Sequence, residues 1–228
     1  ALGADYLATG HYARIETSAG EYHLLKGIDP NKDQSYVLYM LGQRELSHIL
    51  LPLGPYTKGQ VRGMAAGWGL PVSAKPDSQE ICFLPGGDYR PFIRLRRTAF
   101  PPGDIVDSSG RVLGHHRGIA LYTVGQRRGL GISSPRPLYV REIDPSRNRL
   151  VVGPEEELYS QGLKASALSW VSGKTPPPGT RATAKIRYRS PEEPATLWTE
   201  GDGVVIHFDQ PQRAIAPGQA VVFYERDR

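Results

Sequence analysis

From about residue 83 onward, the sequence consists of short strand-like stretches separated by turn residues. The turns contain glycine after a proline, serine or aspartate, as in Pro102-Gly103, Ser109-Gly110 and Asp202-Gly203. Short strands at this spacing favour β-barrels or sandwiches over helical folds. The predicted strands are residues 111–113, 121–124, 138–143, 149–152, 167–171, 181–189, 195–199, 204–208 and 220–224.

The residues before this β-rich part have a mixed α/β pattern. One strand-like stretch, residues 5–9, ends at Gly10, and a second covers residues 22–25. We therefore place domain boundaries near residues 83 and 160, where the texture of the sequence changes. The predicted segments are an α/β segment at 1–83, a mainly β central segment at 84–160 and a β-barrel at 161–228.

Two helices are predicted in the α/β segment. Asp33 is placed to cap the first helix, and Thr57 begins the second, with Gln60 completing a capping box. The second helix carries three glycines, each costing up to about 1 kcal/mol relative to alanine, so we expect packing to hold it. The apolar face of the first helix is Val37, Met40 and Leu41, and the glycines of the second are Gly59, Gly63 and Gly67.

The cysteine content and the apolar runs exclude two classes of protein. The 228 residues include one cysteine, Cys82, so the fold is not built on disulfides. A single unpaired thiol fits a reducing compartment, and we expect the cytoplasm. The longest apolar run, residues 49–53, is too short to cross a bilayer, and no leader-like stretch opens the sequence.

The six histidines show no metal-ligand spacing, and one thiol is too few for the usual structural zinc site. No metal-ligating residue is therefore predicted. His115 and His116 are adjacent and point to opposite faces if they lie on a strand. We interpret both as surface residues.

Positive charge is concentrated in the middle of the sequence. Residues 90–150 contain twelve arginines, no lysine and four acidic residues, a net charge of +8, whereas the rest of the chain sums to −3. Such a field attracts polyanions, and nucleic acid is one candidate partner. A solvated arginine-rich surface is the alternative.

Two basic motifs refine this picture. The glycine-rich stretch 125–131 lacks the Gly-Lys-Ser/Thr ending of a P-loop, so we expect a tight hairpin that exposes Arg127 and Arg128. The alternating stretch 181–189 predicts a strand with one charged face, which either binds a polyanion or is simply solvated.

Cys82 has two possible roles on its sequence context alone. Flanked by Ile81 and Phe83, a lone cysteine is most often a buried apolar side chain. As a thiolate or persulfide nucleophile it needs partial exposure and positive surroundings, and Lys75 is close in sequence.

Several segments, taken together and in order, resemble the bacterial-type tRNA-specific 2-thiouridylases. The stretch around Cys82, Lys-Pro-Asp-Ser-Gln-Glu-Ile-Cys-Phe, is the most specific of them. The resemblance runs from one end of the sequence to the other. The segments that carry it are residues 4–14, 32–36, 75–83, 123–131, 185–189 and 216–220.

The resemblance implies a fold and a domain order. Residues 1–83 correspond to the C-terminal part of a PP-loop ATP pyrophosphatase domain, residues 84–160 to a central tRNA-binding domain, and residues 161–228 to a C-terminal β-barrel. The family's phosphate-binding Ser-Gly-Gly-x-Asp-Ser loop and its second cysteine have no counterpart here. We therefore expect these residues to be a fragment that lacks the N-terminal part of the ATPase domain.

The resemblance also implies a reaction, the ATP-dependent 2-thiolation of the wobble uridine of tRNA. ATP with Mg²⁺ adenylates the uracil 2-oxygen, and a cysteine persulfide, loaded by a sulfur-donor protein, supplies the sulfur. Cys82 matches the persulfide-bearing cysteine, and Gly10 matches a position against the adenosine of ATP. The residues that match tRNA-contacting positions are His11, Lys32, Asp33, Gln34, Arg187, Tyr188 and Gln219.

Two other hypotheses remain. Without the phosphate loop, this polypeptide could act as a tRNA-binding module with no catalysis of its own. A different ATP pyrophosphatase acting on a small molecule would share only the region of residues 9–11, and it would leave the arginine-rich middle unexplained.

Overall fold

The computed structural model describes residues 3–74 and 100–228, which fall into two compact units. The first unit combines the described part of residues 1–75 with residues 162–210 and 219–228. The second combines the described part of residues 76–161 with residues 211–218. The predicted boundary near residue 83 lies outside the described residues, and the one near 160 stays a prediction.

The α/β part of the first unit contains two pairs of strands. Strand β1 (Leu7–Ala8) pairs in parallel with β4 (Ile49–Leu50), and β2 (Ala13–Ser18) forms an antiparallel hairpin with β3 (Glu21–Lys26). A core of Ala13, Leu24, Leu46 and Leu51 lies beneath the hairpin. The side chains of β1 are exposed, with Leu7 at 64%.

The first predicted helix is only one turn long. The chain forms a four-residue 3-10 helix at Ser35–Leu38, followed by a short α1 (Gln43–Leu46). The predicted apolar face was wrong for Val37 and Met40, which are 48% and 70% exposed. The buried residues of this turn are Ser35 and the aromatic Tyr36.

The second predicted helix forms as α2 (Lys58–Gly67). The predicted capping box is confirmed, with Thr57 Oγ1 accepting from the Gln60 N–H and Gln60 Oε1 accepting from the Thr57 N–H. Gly69, at a φ of 67°, ends it. The packing expected to hold this helix is not found within the described residues, because none of its residues is buried.

The C-terminal part of the first unit is an antiparallel five-stranded sheet, with strands in the order β13-β10-β11-β12-β9. Alternate residues of β11 and β12 build its core, including Leu197, Ile206 and Phe208. Residues 167–171, predicted as a strand, form none, and Ala167 has a left-handed φ of 54°. The strands are β9 (Tyr159–Ala165), β10 (Thr180–Lys185), β11 (Glu193–Glu200), β12 (Gly203–Arg213) and β13 (Val222–Tyr224).

The second unit is built on a four-stranded sheet in the order β6-β5-β8-β7. Its core contains Ile105, Val140, Leu150 and Val152 together with Leu130 from a loop. The predicted strand at 121–124 is absent, since a 3-10 turn at Ile119–Leu121 precedes an irregular segment there. The strands are β5 (Gly103–Val106), β6 (Val112–His116), β7 (Tyr139–Asp144) and β8 (Arg149–Gly153).

The two adjacent histidines of β6 differ in burial, as the alternation of a strand requires. His115 is exposed and hydrogen-bonds Asp104, but His116 is 1% exposed, so its interpretation as a surface residue was wrong. Its ring accepts from the Gly118 N–H and donates to the Asn148 carbonyl. These two backbone partners make burial of the ring acceptable.

Within the described residues, no helix is long and apolar enough to span a membrane.

A glycine-to-alanine substitution tests the closest backbone approach in the α/β part. A Cβ at Gly54 would overlap the Ala13 carbonyl oxygen, so Gly54→Ala is expected to destabilise the first unit by about 1–3 kcal/mol or more. Gly63→Ala in α2 is the matched control, because a Cβ there meets nothing within 4 Å. Urea denaturation measures both, and equal midpoints for the two variants contradict the prediction.

Candidate nucleic-acid interface

The predicted site residues of the α/β part meet around the start of β2. Gln34 Oε1 accepts from the Tyr12 N–H at 3.0 Å, and the Gln34 N–H donates to the Tyr12 carbonyl at 2.8 Å. His11, next to Tyr12, hydrogen-bonds Thr9 through Nδ1 at 2.9 Å. The loop 32–34 therefore lies beside the segment 9–12, which follows β1.

Asp33 holds this loop in shape. Its Oδ1 accepts from the N–H groups of Gly27 and Ser35, and its Oδ2 accepts from the Ser35 hydroxyl at 2.9 Å. The expected capping of a helix by Asp33 was wrong, because the N-cap of the 3-10 turn is Gln34 and no side chain caps it. Both carboxylate oxygens are engaged within the loop, so Asp33 positions its neighbours more than it offers a free acceptor.

The end of the C-terminal sheet lies against the same loop. Ser35 gives its one hydroxyl proton to Asp33, so the Tyr224 hydroxyl donates to Ser35 Oγ, at 3.1 Å. Tyr36 donates to the Ala220 carbonyl at 2.8 Å, next to the exposed Gln219. Sequence-distant residues 32–36 and 219–224 are therefore packed against each other in the first unit, with Gln219 exposed beside the contact.

Arg187 and Tyr188 lie beside this contact as well. The rings of Tyr36 and Tyr188 are tilted at 54° with centroids 6.0 Å apart, and Tyr188 is 40% exposed. Burial raises the pKa of Tyr36, its neighbour Tyr39 raises it further, and the positive charge of Arg187 opposes this. The structure thus brings the two predicted residues of the barrel next to Tyr36 and the loop 32–34.

An ion pair also connects the α/β part of the first unit to its C-terminal part. Lys26 Nζ lies 2.8 Å from Glu192 Oε2 and 2.7 Å from the Arg226 carbonyl, and the Lys26 N–H donates to the Asp227 carbonyl. The side chains of Lys26 and Glu192 are only 20% and 25% exposed. Burial raises the pKa of Tyr224 well above its usual value, and the charges of Asp33 and Glu192 raise it further.

The predicted basic strand is shorter than expected. Strand β10 ends at Lys185, and the residues after Ile186 turn away from the sheet, so Tyr188 is exposed and not on the buried face. Arg181 forms a two-pronged ion pair with Asp209, and Thr183 donates to Glu192. Arg181 on this face is therefore neutralised by an acidic side chain.

Two predicted features have a limited structural counterpart. Gly10 is exposed at the carboxyl end of β1, and a Cβ built on it meets only Leu53 at 3.6 Å, an ordinary contact. Cys82 and its flanking segment lie outside the described residues. Within residues 3–74 and 100–228, no group of three or more His, Cys, Asp or Glu residues could hold a metal ion.

Sequence reasoning missed the residues that join the two parts of this surface. Lys26, Glu192 and Tyr224 lie in no motif, and Ser35 and Tyr36 stand out in the sequence only as neighbours of the tripeptide 32–34. Their common signal is weak: polar or aromatic residues adjacent to a predicted turn or at a strand end.

Family models cover nearly all of the sequence in three successive matches. The tRNA methyl transferase HUP domain matches residues 1–86, the tRNA methyl transferase PRC-barrel domain matches 92–154, and the aminomethyltransferase β-barrel domain matches 160–228. The predicted order, a nucleotide-binding-type α/β remnant followed by two mainly β parts, is confirmed.

Curated relatives agree with these matches. The tRNA-specific 2-thiouridylase MnmA of Moorella thermoacetica is 51% identical over 100% of this chain, and that of Carboxydothermus hydrogenoformans is 50% identical over 99%. The chain spans 65% and 63% of these two proteins. It spans 73% of the tRNA-specific 2-thiouridylase MnmA 2 of Syntrophus aciditrophicus, at 46% identity.

A double-mutant cycle tests the hydrogen bond between the two parts of the surface. Ser35→Ala and Tyr224→Phe each remove one partner, and their coupling energy is expected to be about 1 kcal/mol, since the bond is buried. Tyr159→Phe, an exposed tyrosine, is the control for loss of a hydroxyl. Strictly additive effects of the two substitutions on the free energy of unfolding would contradict the cycle.

Proposed function

Because this chain belongs to the family of tRNA-specific 2-thiouridylases, we propose that it acts in the ATP-dependent 2-thiolation of the wobble uridine of tRNA. One observation supports this most. Three sequence-distant sets of predicted tRNA-contacting residues, 11 with 32–34, 187–188 and 219, lie next to one another at the surface of the first unit.

The reaction requires a leaving group at C2 of the uracil ring. The 2-oxygen leaves poorly, and its attack on the α-phosphorus of ATP, with release of pyrophosphate, converts it into part of an AMP leaving group. The terminal sulfur of a Cys82 persulfide then attacks C2, and the bond from C2 to the adenylated oxygen breaks as AMP leaves. Release of the sulfur from Cys82 ends in a disulfide with a second thiol, which these residues do not contain.

Gly10 is the proposed contact for the adenosine of ATP. It lies at the carboxyl end of the parallel strand β1, the edge at which α/β sheets bind ligands. Neither crowding nor an unusual φ requires glycine there, so close approach of a ligand to the backbone is a sufficient reason. The described residues offer no carboxylate cluster for Mg²⁺, so we assign the ion no protein ligands and no step.

The tRNA-contacting roles follow from the chemistry of each side chain. Lys32 and Arg187 supply positive charge for phosphates, and the exposed ring of Tyr188 offers a face on which a base can stack. His11 and Gln219 can donate hydrogen bonds to bases or sugars. Gln34 and Asp33 keep the loop against Tyr12 and Ser35, so their contribution to binding is mainly to position Lys32 and Tyr36.

Sulfur enters through a second protein. A persulfide donor that transfers its terminal sulfur to Cys82 is the partner this mechanism needs, and the cytoplasm provides the reducing conditions in which a single reactive thiol persists.

The alternative proposal is a tRNA-binding module without catalysis. It is favoured by the same surface and by the absence of a phosphate loop from these residues. The two proposals share tRNA binding and differ in whether Cys82 turns over.

Substitution of Cys82 by serine separates the two. In a full-length enzyme that contains these residues, Cys82→Ser is expected to abolish formation of 2-thiouridine, because the serine hydroxyl cannot carry a persulfide sulfur, while affinity for tRNA is unchanged. The readouts are nucleoside mass spectrometry of the tRNA and a binding isotherm. Since Cys82 is the only cysteine, one added sulfur on the intact wild-type chain after incubation with a persulfide donor reports on that residue alone.

ATP-dependent thiolation that survives Cys82→Ser refutes the persulfide role. A wild-type chain that binds tRNA and gains a persulfide, yet never yields 2-thiouridine, supports the binding-module alternative for these residues.

A further inference from the structure

The arginines of residues 90–150 divide into two groups. Eight of the twelve lie among the described residues, and four of these are held by carboxylates. Asp144 binds two of them, and Ser146 and the Arg147 N–H also donate to it, which lowers its pKa to about 2. The four ion pairs have N···O distances of 3.0–3.8 Å. They are Arg111–Asp107, Arg141–Glu157, Arg147–Asp144 and Arg149–Asp144.

The other four arginines lie in one loop. Residues 117–138, here called the arginine loop, connect β6 to β7 and include no acidic residue. All four arginines are exposed, and none forms an ion pair with a residue in 3–74 or 100–228. They are Arg117, Arg127, Arg128 and Arg136.

The backbone of the arginine loop is fixed at its centre. The Gly125 N–H donates to the Val140 carbonyl and the Val140 N–H donates to the Gln126 carbonyl, at 2.7 and 2.9 Å. The Gln126 side chain accepts from the Thr123 N–H and donates to the Arg128 carbonyl. Leu130, 6% exposed, anchors the next turn in the core of the second unit.

This geometry corrects one expectation and explains another. Residues 125–131 form two successive turns and no tight hairpin, with positive φ at Gly125, Gly129 and Gly131. The predicted exposure of Arg127 and Arg128 is confirmed. Their backbone is held by hydrogen bonds and a buried leucine, so binding a ligand costs little ordering of the chain.

We propose that the arginine loop binds the phosphate backbone of tRNA, as a sequence-independent contact on the second unit. This inference rests on the proposed function for its partner. Guanidinium groups present a planar fork that matches phosphate oxygens, and four of them spread along one loop match a repeating polyanion better than a single phosphate. Like charges without counter-charges repel one another, and a polyanion relieves that repulsion.

A salt series on two charge-matched variants tests the proposal. Arg127→Gln with Arg128→Gln removes two arginines that have no carboxylate partner among the described residues. Arg111→Gln with Arg147→Gln removes two arginines that Asp107 and Asp144 neutralise. The association constant for a tRNA with a modifiable wobble uridine, and for one without it, is measured over the salt series with the full 228-residue chain.

The expected result is a change in slope confined to the first variant. The slope of log association constant against log salt falls in magnitude by roughly 1–2, at about 1 for each phosphate that the variant no longer neutralises, equally for both tRNAs. The second variant keeps the wild-type slope. Thermal unfolding is the same for wild type and the first variant because the removed side chains are exposed, and Arg136→Gln repeats the test at a third position.

Three results would overturn the inference. A wild-type slope in the first variant means that Arg127 and Arg128 do not touch tRNA, and equal slope changes in both variants reduce the effect to net charge. If the first variant no longer binds polyglutamate but still binds tRNA as the wild type does, the loop is assigned to an acidic protein. A wild-type chain that fails to bind tRNA at any salt contradicts the proposed function itself, which keeps the two failures distinct.

Discussion

The hydrogen bond between Ser35 and Tyr224 and the nearby ion pair between Lys26 and Glu192 tie the α/β part of the first unit to its C-terminal sheet. Each group is partly or fully buried, and the Tyr224 hydroxyl and the Lys26 ammonium would lose these partners if the two parts moved away from each other. An unpaired buried polar group costs about 1–3 kcal/mol, so the two parts are expected to separate only at considerable cost. The positions of the loop 32–34 and of Tyr188 relative to each other follow from this joint.

These contacts also indicate which predicted site residues stabilise the loop 32–34 and which stay exposed for binding. The side chain of Asp33 accepts hydrogen bonds from Gly27 and Ser35, and that of Gln34 accepts one from Tyr12. These bonds stabilise the loop. Tyr188 and Gln219 remain exposed at its border. Substitution of the first pair should therefore act through the shape of the surface, whereas substitution of the second pair should remove contacts without disturbing the fold.

Capping residues, turn residues and alternation along a strand predicted the elements that depend on residues close in sequence. The capping box at Thr57 and most strands of the β-rich part could be read from the sequence. Alternation failed at Tyr188, because a period of two cannot indicate where a strand ends and the chain turns. His116 was misjudged because its two backbone partners, at Gly118 and Asn148, are created by the fold.

The sequence also did not predict which arginines are neutralised by carboxylates. The excess of arginine between residues 90 and 150 was visible in the sequence, but its neutralisation was not. Arg141 is paired with Glu157 in the following segment, and Arg149 is paired with Asp144 in the turn before it. Only the geometry separates neutralised arginines from those of the arginine loop. The resemblance supplied the family and the names of site residues, and the contacts supplied the reasons for their arrangement.

Hydrogen–deuterium exchange with and without tRNA tests the central claim most directly, namely that the loop 32–34 and residues 187–188 form one RNA-binding surface. Peptides covering residues 30–38 and 185–190 should both gain protection, with the same dependence on tRNA concentration. A peptide from β11 in the core should show no change and serves as the internal control. Protection of only one of the two segments, or of neither while tRNA is bound, would contradict a shared surface.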